Sequence, residues 1–202
     1  MSSPPRAEPA PSQSVGKYAL FVVVTAIATV IDQWTKIWVQ NNIELHARGI
    51  EVIPGLFDIV HAENPGAAFG LLGGAENRML VFGVFTVVAI GVLGQMLWQL
   101  PKDDRLQNIA LGLISSGAIG NAIDRVQKQS VTDFLRVYTD NPSIKPVLID
   151  WFGMAEWPSF NVADAAIVVG LGMFVVHWLF FEKQEGPQEA PADAKDAPAA
   201  QT

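Results

Sequence analysis

Asp133 and Asp164 are the residues of this chain best suited to chemistry. They stand in Val131-Thr132-Asp133-Phe134 and Phe160-Asn161-Val162-Ala163-Asp164. The second lies just inside a segment apolar enough to cross a bilayer, where a charge is costly and therefore suggests a function. Two carboxyls brought together cannot both ionise easily. One then keeps its proton and can donate it to a carbonyl oxygen, while the other takes a proton from an attacking water. Such a pair hydrolyses an amide without a metal or a covalent nucleophile. A plainer reading stands beside it: a loop acid, and an acid favoured by the dipole at a helix N-terminus. Spacing alone leaves the two readings level.

The elements that must position these acids follow from composition. Half of the 202 residues are apolar and 16% are charged, which points to a membrane protein. A net charge of −7 argues against nucleic acid as a partner. There is no cysteine, which removes disulfides, thiolate nucleophiles and Cys-ligated zinc. Four runs reach the length needed to span a bilayer: about Tyr18–Val39, Met79–Leu100, Leu106–Ile123 and Phe160–Phe181. Backbone groups in lipid must be satisfied internally, so these are helices. The expected fold is an all-α membrane protein of four transmembrane helices, with a small β-rich loop region outside the membrane.

Pro101–Arg105 is a tight turn, whereas 40–78 and 126–159 are long connections. Alternating spans place both long loops on one side and the short turn with both tails on the other. Asp32 and Lys36, then Asn121, Asp124 and Arg125, then Asn161 and Asp164 all fall at helix ends on the long-loop side. Costly polar groups gathered at one depth imply a site. Lys102, Arg105, Arg6, Lys17 and Lys183 favour a cytoplasmic short-turn side, but Lys128, Arg136 and Lys145 weigh against this.

The long loops carry their own signals. Glu51–Val60 has β-type residues around Pro54-Gly55 and predicts short strands. Residues 131–137 alternate as a strand with Asp133 on its apolar face. Trp151, Phe152 and Trp157 suit an interfacial aromatic belt. Asp32 and Lys36, at i and i+4, can pair; the plain expectation is an interfacial ion pair with Lys36 reaching for the headgroups. Asn121, Asp124 and Arg125 either hold a substrate backbone or cap the helix. The loop Asn64-Pro-Gly-Ala-Ala-Phe-Gly70 would let a substrate backbone come close. Gly112, Ser116 and Gly120 form a small-residue seam for helix packing. His46, His61 and His177 lack metal-ligand spacing, and Ser115 and Ser116 lie mid-span, away from His177 and Lys36.

Taken together these segments resemble the lipoprotein signal peptidase (signal peptidase II) family of bacterial membrane aspartic proteases. The resemblance runs from about Tyr18 to Phe181 and rests on five motifs in order. These are Asp32-Gln-Trp-Thr-Lys36, Asn64–Gly70, Gly117-Ala-Ile-Gly-Asn121-Ala-Ile-Asp124-Arg125, Val131–Phe134 and Phe160–Asp164. It implies removal of signal peptides from diacylglyceryl-modified prolipoproteins, cleaving before the lipidated Cys. Asp133 and Asp164 would be the catalytic pair. Asp32, Lys36, Asn64, Gly66, Asn121, Asp124, Arg125 and Asn161 would bind or support. It implies no cofactor and no metal, and membrane lipids and lipid-modified precursors as partners of a monomer. The enzyme would sit in the cytoplasmic (inner) membrane with its site facing outwards.

The division expected is a disordered cytoplasmic tail over 1–16, a four-helix peptidase domain over 17–181 and a disordered acidic tail over 182–202. Residues 138–150 are longer than the resemblance leads one to expect. From another class, a non-catalytic four-helix transporter or scaffold predicts polar residues along a continuous path across the membrane. The nearly apolar other halves of the spans speak against it.

Overall fold

The computed structural model describes residues 15–66, 75–101 and 104–180. The segments read as tails lie almost wholly outside these residues, as do 67–70 of the glycine-bearing loop and Lys102-Asp103 of the short turn. Among these residues, eight elements follow one another: α1 (Val15–Asn42), β1 (Ile50–Ile53), β2 (Phe57–Asn64), α2 (Ala75–Gln99), α3 (Arg105–Lys128), β3 (Val131–Val137), α4 (Lys145–Phe152) and α5 (Val162–Phe180). Helix α1 thus begins at Val15, just inside the segment assigned to the N-terminal tail.

Among the described residues, three helices are long and apolar enough to cross a membrane: residues 18–42 of α1, 79–99 of α2 and α5. Helix α3, expected as a fourth apolar span, is not among them, and its position shows why. It packs against α1, α2 and α5, so Asn108, Ser115, Ser116, Asn121 and Asp124 are buried in protein. A helix wrapped by others can carry polar side chains that lipid would not tolerate.

Small residues let these helices close up. A Cβ on Gly112 would stand 2.9 Å from Val24 Cγ1, and one on Gly117 would stand 2.3 Å from the Ala163 carbonyl oxygen. The seam expected at 112, 116 and 120 is therefore a packing surface, but at Gly120 it does more. There a Cβ would fall 2.4 Å from Asp32 Oδ2, so the missing side chain houses a carboxylate. Away from the polar end, Leu93, Leu97 and Leu100 of α2 meet Leu111 of α3 in an apolar cluster. Asp104 caps α3 through its Oδ1, which accepts from the Gln107 amide at 2.9 Å, and its Oδ2 lies 2.9 Å from His177 Nε2.

The three strands form an antiparallel sheet in the order β1-β2-β3. Strands β1 and β2 flank the Pro-Gly turn as expected, with Gly55 at φ +71°. Strand β3 departs from the expected one-sided alternation, because Val131, Thr132, Asp133 and Phe134 are all buried. Both of its faces are covered, Phe134 packing on Val39 and Ile43 of α1. Within the long 138–150 stretch the chain winds α4, with Pro146 in its first turn and Gly153 closing it at φ +74°. None of its residues is buried, and Trp151 is 80% exposed.

Candidate active site

The buried face of α1 repeats Asp32, Lys36, Val39 and Ile43, a helical stripe whose first two members are charged. Lys36 does not reach for headgroups: it is 1% exposed. Its Nζ lies 2.9 Å from Asp32 Oδ2, 3.3 Å from Asp124 Oδ2 and 3.1 Å from Asn121 Oδ1. A buried ammonium is tolerable only when so many acceptors replace its water. Among the described residues no group of three or more acidic or histidine side chains is placed to hold a metal.

The Asp32 carboxylate also accepts from the Ala163 amide at 2.9 Å, so α1 supplies a capping group to α5. Asp124 accepts from the Thr132 amide at 3.0 Å, fixing the start of β3 to α3. Gln33, not singled out in the sequence, donates to Asp32 (3.1 Å), Asp124 (3.3 Å) and the Gly120 carbonyl (3.2 Å). Its only signal was its place inside the first-helix motif.

Asn161 and Asp164 open α5 with reciprocal bonds. The Asp164 amide donates to Asn161 Oδ1 at 3.0 Å, and the Asn161 amide donates to Asp164 Oδ2 at 3.2 Å. This is a capping box with an aspartate in the third position. Asp164 is thus a helix-capping acid, as the plain reading held, and its other oxygen accepts from Asn121 Nδ2 at 2.8 Å. The two readings are not exclusive, since a cap also fixes the carboxylate in place.

Asp133 is 4% exposed. Its Oδ1 accepts from Asn161 Nδ2 at 2.8 Å and its Oδ2 from Asn64 Nδ2 at 3.0 Å. Asn64 can reach because Asn64↔Val131 and Ala62↔Asp133 are register pairs, which puts Asn64 and Asp133 diagonally on one sheet face. The same Asn161 amide group also approaches Asn121 Oδ1 at 3.2 Å. One asparagine therefore holds both acids, Asp133 by its side chain and Asp164 by its backbone. Burial pushes the Asp133 carboxyl up. The nearby Asp164 adds to this, while bonds from Asn64 and Asn161 and the charge of Lys36 oppose it, leaving it at about 6.

Gly66 sits at φ +83°, its amide donating to Asn64 Oδ1 at 2.9 Å. A Cβ here would come within 2.5 Å of the Phe82 ring of α2. The space a side chain would need at this glycine is taken by Phe82. That ring also lies under Arg125, whose guanidinium carbon is 4.3 Å from its centroid, while Arg125 Nη1 reaches the Asn121 carbonyl at 3.4 Å. All ten residues singled out in the sequence thus belong to one connected polar network. Phe82 is an addition that spacing could not reveal, because it stands in an ordinary apolar run.

Two cavities, about 520 and 380 Å³, border α4 and the chain just after β3, the larger also lined by Glu51 of β1. Neither is lined by Asp133 or Asp164.

The family model described as signal peptidase (SPase) II matches residues 24–180. The chain belongs to the signal peptidase II family. That makes it a membrane aspartic peptidase by family. It is 40% identical over 168 residues to a lipoprotein signal peptidase of Geobacter metallireducens, covering 83% of this chain and 95% of that one. The Geobacter sulfurreducens lipoprotein signal peptidase is 38% identical over 170 residues, covering 84% and 98%. Among solved structures, a bacterial membrane enzyme determined at 1.9 Å by the in meso method superposes with a TM-score of 0.66 at 26% identity. It covers 83% of this chain and 96% of that one.

Proposed function

We propose that this peptidase removes signal peptides from diacylglyceryl-modified prolipoproteins, cutting before the lipidated Cys, with Asp133 and Asp164 as its catalytic pair. The relatives' names supply the substrate class. The observation that carries the mechanism is Asn161, which hydrogen-bonds to both carboxylates at the N-terminus of a membrane-crossing helix. Asp133, raised to about 6, keeps the proton and gives it to the scissile carbonyl oxygen. Asp164, at the positive end of α5, takes a proton from the water that attacks the carbonyl carbon. The tetrahedral intermediate then expels the cysteine nitrogen, which leaves with a proton returned from Asp164, while one of its two hydroxyls gives a proton back to Asp133 as the new carboxyl group forms. Asp32, Lys36, Asn64, Gly66, Asn121, Asp124, Arg125 and Asn161 hold the pair in place.

In this reading α3 is the fourth span: its 24 residues reach about 36 Å, enough to cross the hydrocarbon core. The protein lies in the cytoplasmic membrane as a monomer, its tails inside and its sheet outside. Acyl chains of the substrate stay between helices while the peptide passes under the loops.

The test is cleavage by the purified full-length protein in lipid vesicles, given a precursor with and without its diacylglyceryl group. Mass spectrometry of the products is expected to place the cut before the modified Cys, in the modified precursor only. Equal cleavage of both forms, or a cut elsewhere, would overturn the substrate assignment.

A further inference from the structure

Thr132 precedes Asp133 and is fully buried, yet the chemistry gives it no part. Its hydroxyl has one proton to donate and two lone pairs to accept with, and all three are committed. It accepts from Gln40 Nε2 of α1 at 2.8 Å and from Lys128 Nζ of α3, and it donates to Glu63 Oε1 of β2 at 2.9 Å. Its backbone amide goes to Asp124. One side chain therefore joins β3 to three other elements, one residue before the acid.

The clamp around it is charged. Glu63, the register partner of Thr132, also accepts from Ser130 Oγ. Lys128 Nζ stands 3.7 Å from Glu63 Oε1 and 3.7 Å from Asp124 Oδ2, and His61 Nε2 stands 3.6 Å from the same Glu63 oxygen. Burial would raise the Glu63 carboxyl, but the bonds from Ser130 and Thr132 and the charge of Lys128 outweigh it and hold it below its usual range. Glu63 is also the residue before Asn64. Both groups that place the outer oxygen of Asp133, its own strand and Asn64, thus leave from this clamp.

We propose that Thr132, held by Glu63 and Lys128, is a positioning residue that sets where Asp133 meets Asn64 and Asn161. This rests on Asp133 being catalytic. If the hydroxyl is lost, β3 can slide against β2 and the Asn64 bond lengthens. That bond favours the ionised form of Asp133, so weakening it raises the carboxyl's pKa.

The experiment measures kcat, KM and the pH profile of the full-length enzyme on a lipid-modified precursor. Thr132→Val is expected to lower kcat on the order of tenfold to a hundredfold with KM nearly unchanged, and to move the alkaline limb to higher pH. Thr132→Ser, which keeps the hydroxyl, is expected to restore kcat and the limb. Glu63→Leu, which removes the acceptor, is expected to act in the same direction and carries the test if Thr132→Val does not fold. Wild-type kcat in whichever of these two variants folds would overturn the proposal, as would a loss shared equally by Thr132→Ser with the limb unmoved. Asp133→Asn run beside them separates the two ideas: if it is active, the catalytic pair itself is wrong.

Discussion

Asp133 and Asp164 differ in surroundings more than in type. Asp133 is buried in a strand, whereas Asp164 is half-buried in a helix cap. A carboxyl raised from 3.8 to about 6 keeps its proton below that value and loses it as pH rises through it. Activity in the free enzyme should therefore fall on the alkaline side of about pH 6, and kcat/KM against pH measures it. A profile flat from pH 5 to 9 would assign the proton elsewhere. Lys36 supports a second prediction. Its removal as Lys36→Met strips Asp32 of its buried cation and leaves Asp124 only the more distant Lys128, at a cost of roughly 3–5 kcal/mol. Thermal unfolding in detergent should show a large loss of stability, and a shift of a degree or two would refute the buried role. These residues were legible because ionisable side chains in apolar segments are conspicuous. The burial of Lys36 was not, since an i, i+4 spacing gives a partner on its own helix but not Asn121 and Asp124 from another.

Elements explain what the residues could not announce. Helix α3 reads as a span with a small-residue seam, but the seam's most demanding position is set by a carboxylate of α1. Gly120→Ala would put a methyl group 2.4 Å from Asp32 Oδ2 and should cost about 1–3 kcal/mol with loss of activity. A control at Gly83, where a Cβ would meet nothing within 4 Å, should be nearly silent. Both are read from melting temperature and cleavage rate. Strand β3 shows the limit of periodicity: alternation assumes one wet face, and contact with α1 removed it. The eight residues of α4 escaped notice because they make less than three turns and open on a proline-bearing segment. Thr132 and Glu63 escaped because a threonine and a glutamate beside strand residues carry no pattern.

At the scale of the molecule, side chains from α1, α3 and α5 and from strands β2 and β3 meet in one polar network. That meeting of helix ends was expected from the alternation of four spans, of which three are long and apolar enough to cross a membrane among the described residues. It fixes sidedness as a testable matter, helped by a chain without native cysteine. Asp150→Cys in α4 should react with a membrane-impermeant maleimide added outside intact spheroplasts, and Gln99→Cys at the far end of α2 should react only after lysis. The reverse pattern would invert the topology and put the site inside. The account as a whole stands on two carboxylates sharing one task. The most direct measurement is the single-turnover cleavage rate of a lipid-modified precursor by Asp133→Asn and by Asp164→Asn, each compared with the parent enzyme in chelator. The expected result is a loss of roughly 10³-fold or more in each variant, with the parent unaffected by the chelator. Near-parental cleavage by either variant, or loss of parental activity in the chelator, would contradict a metal-free aspartate pair.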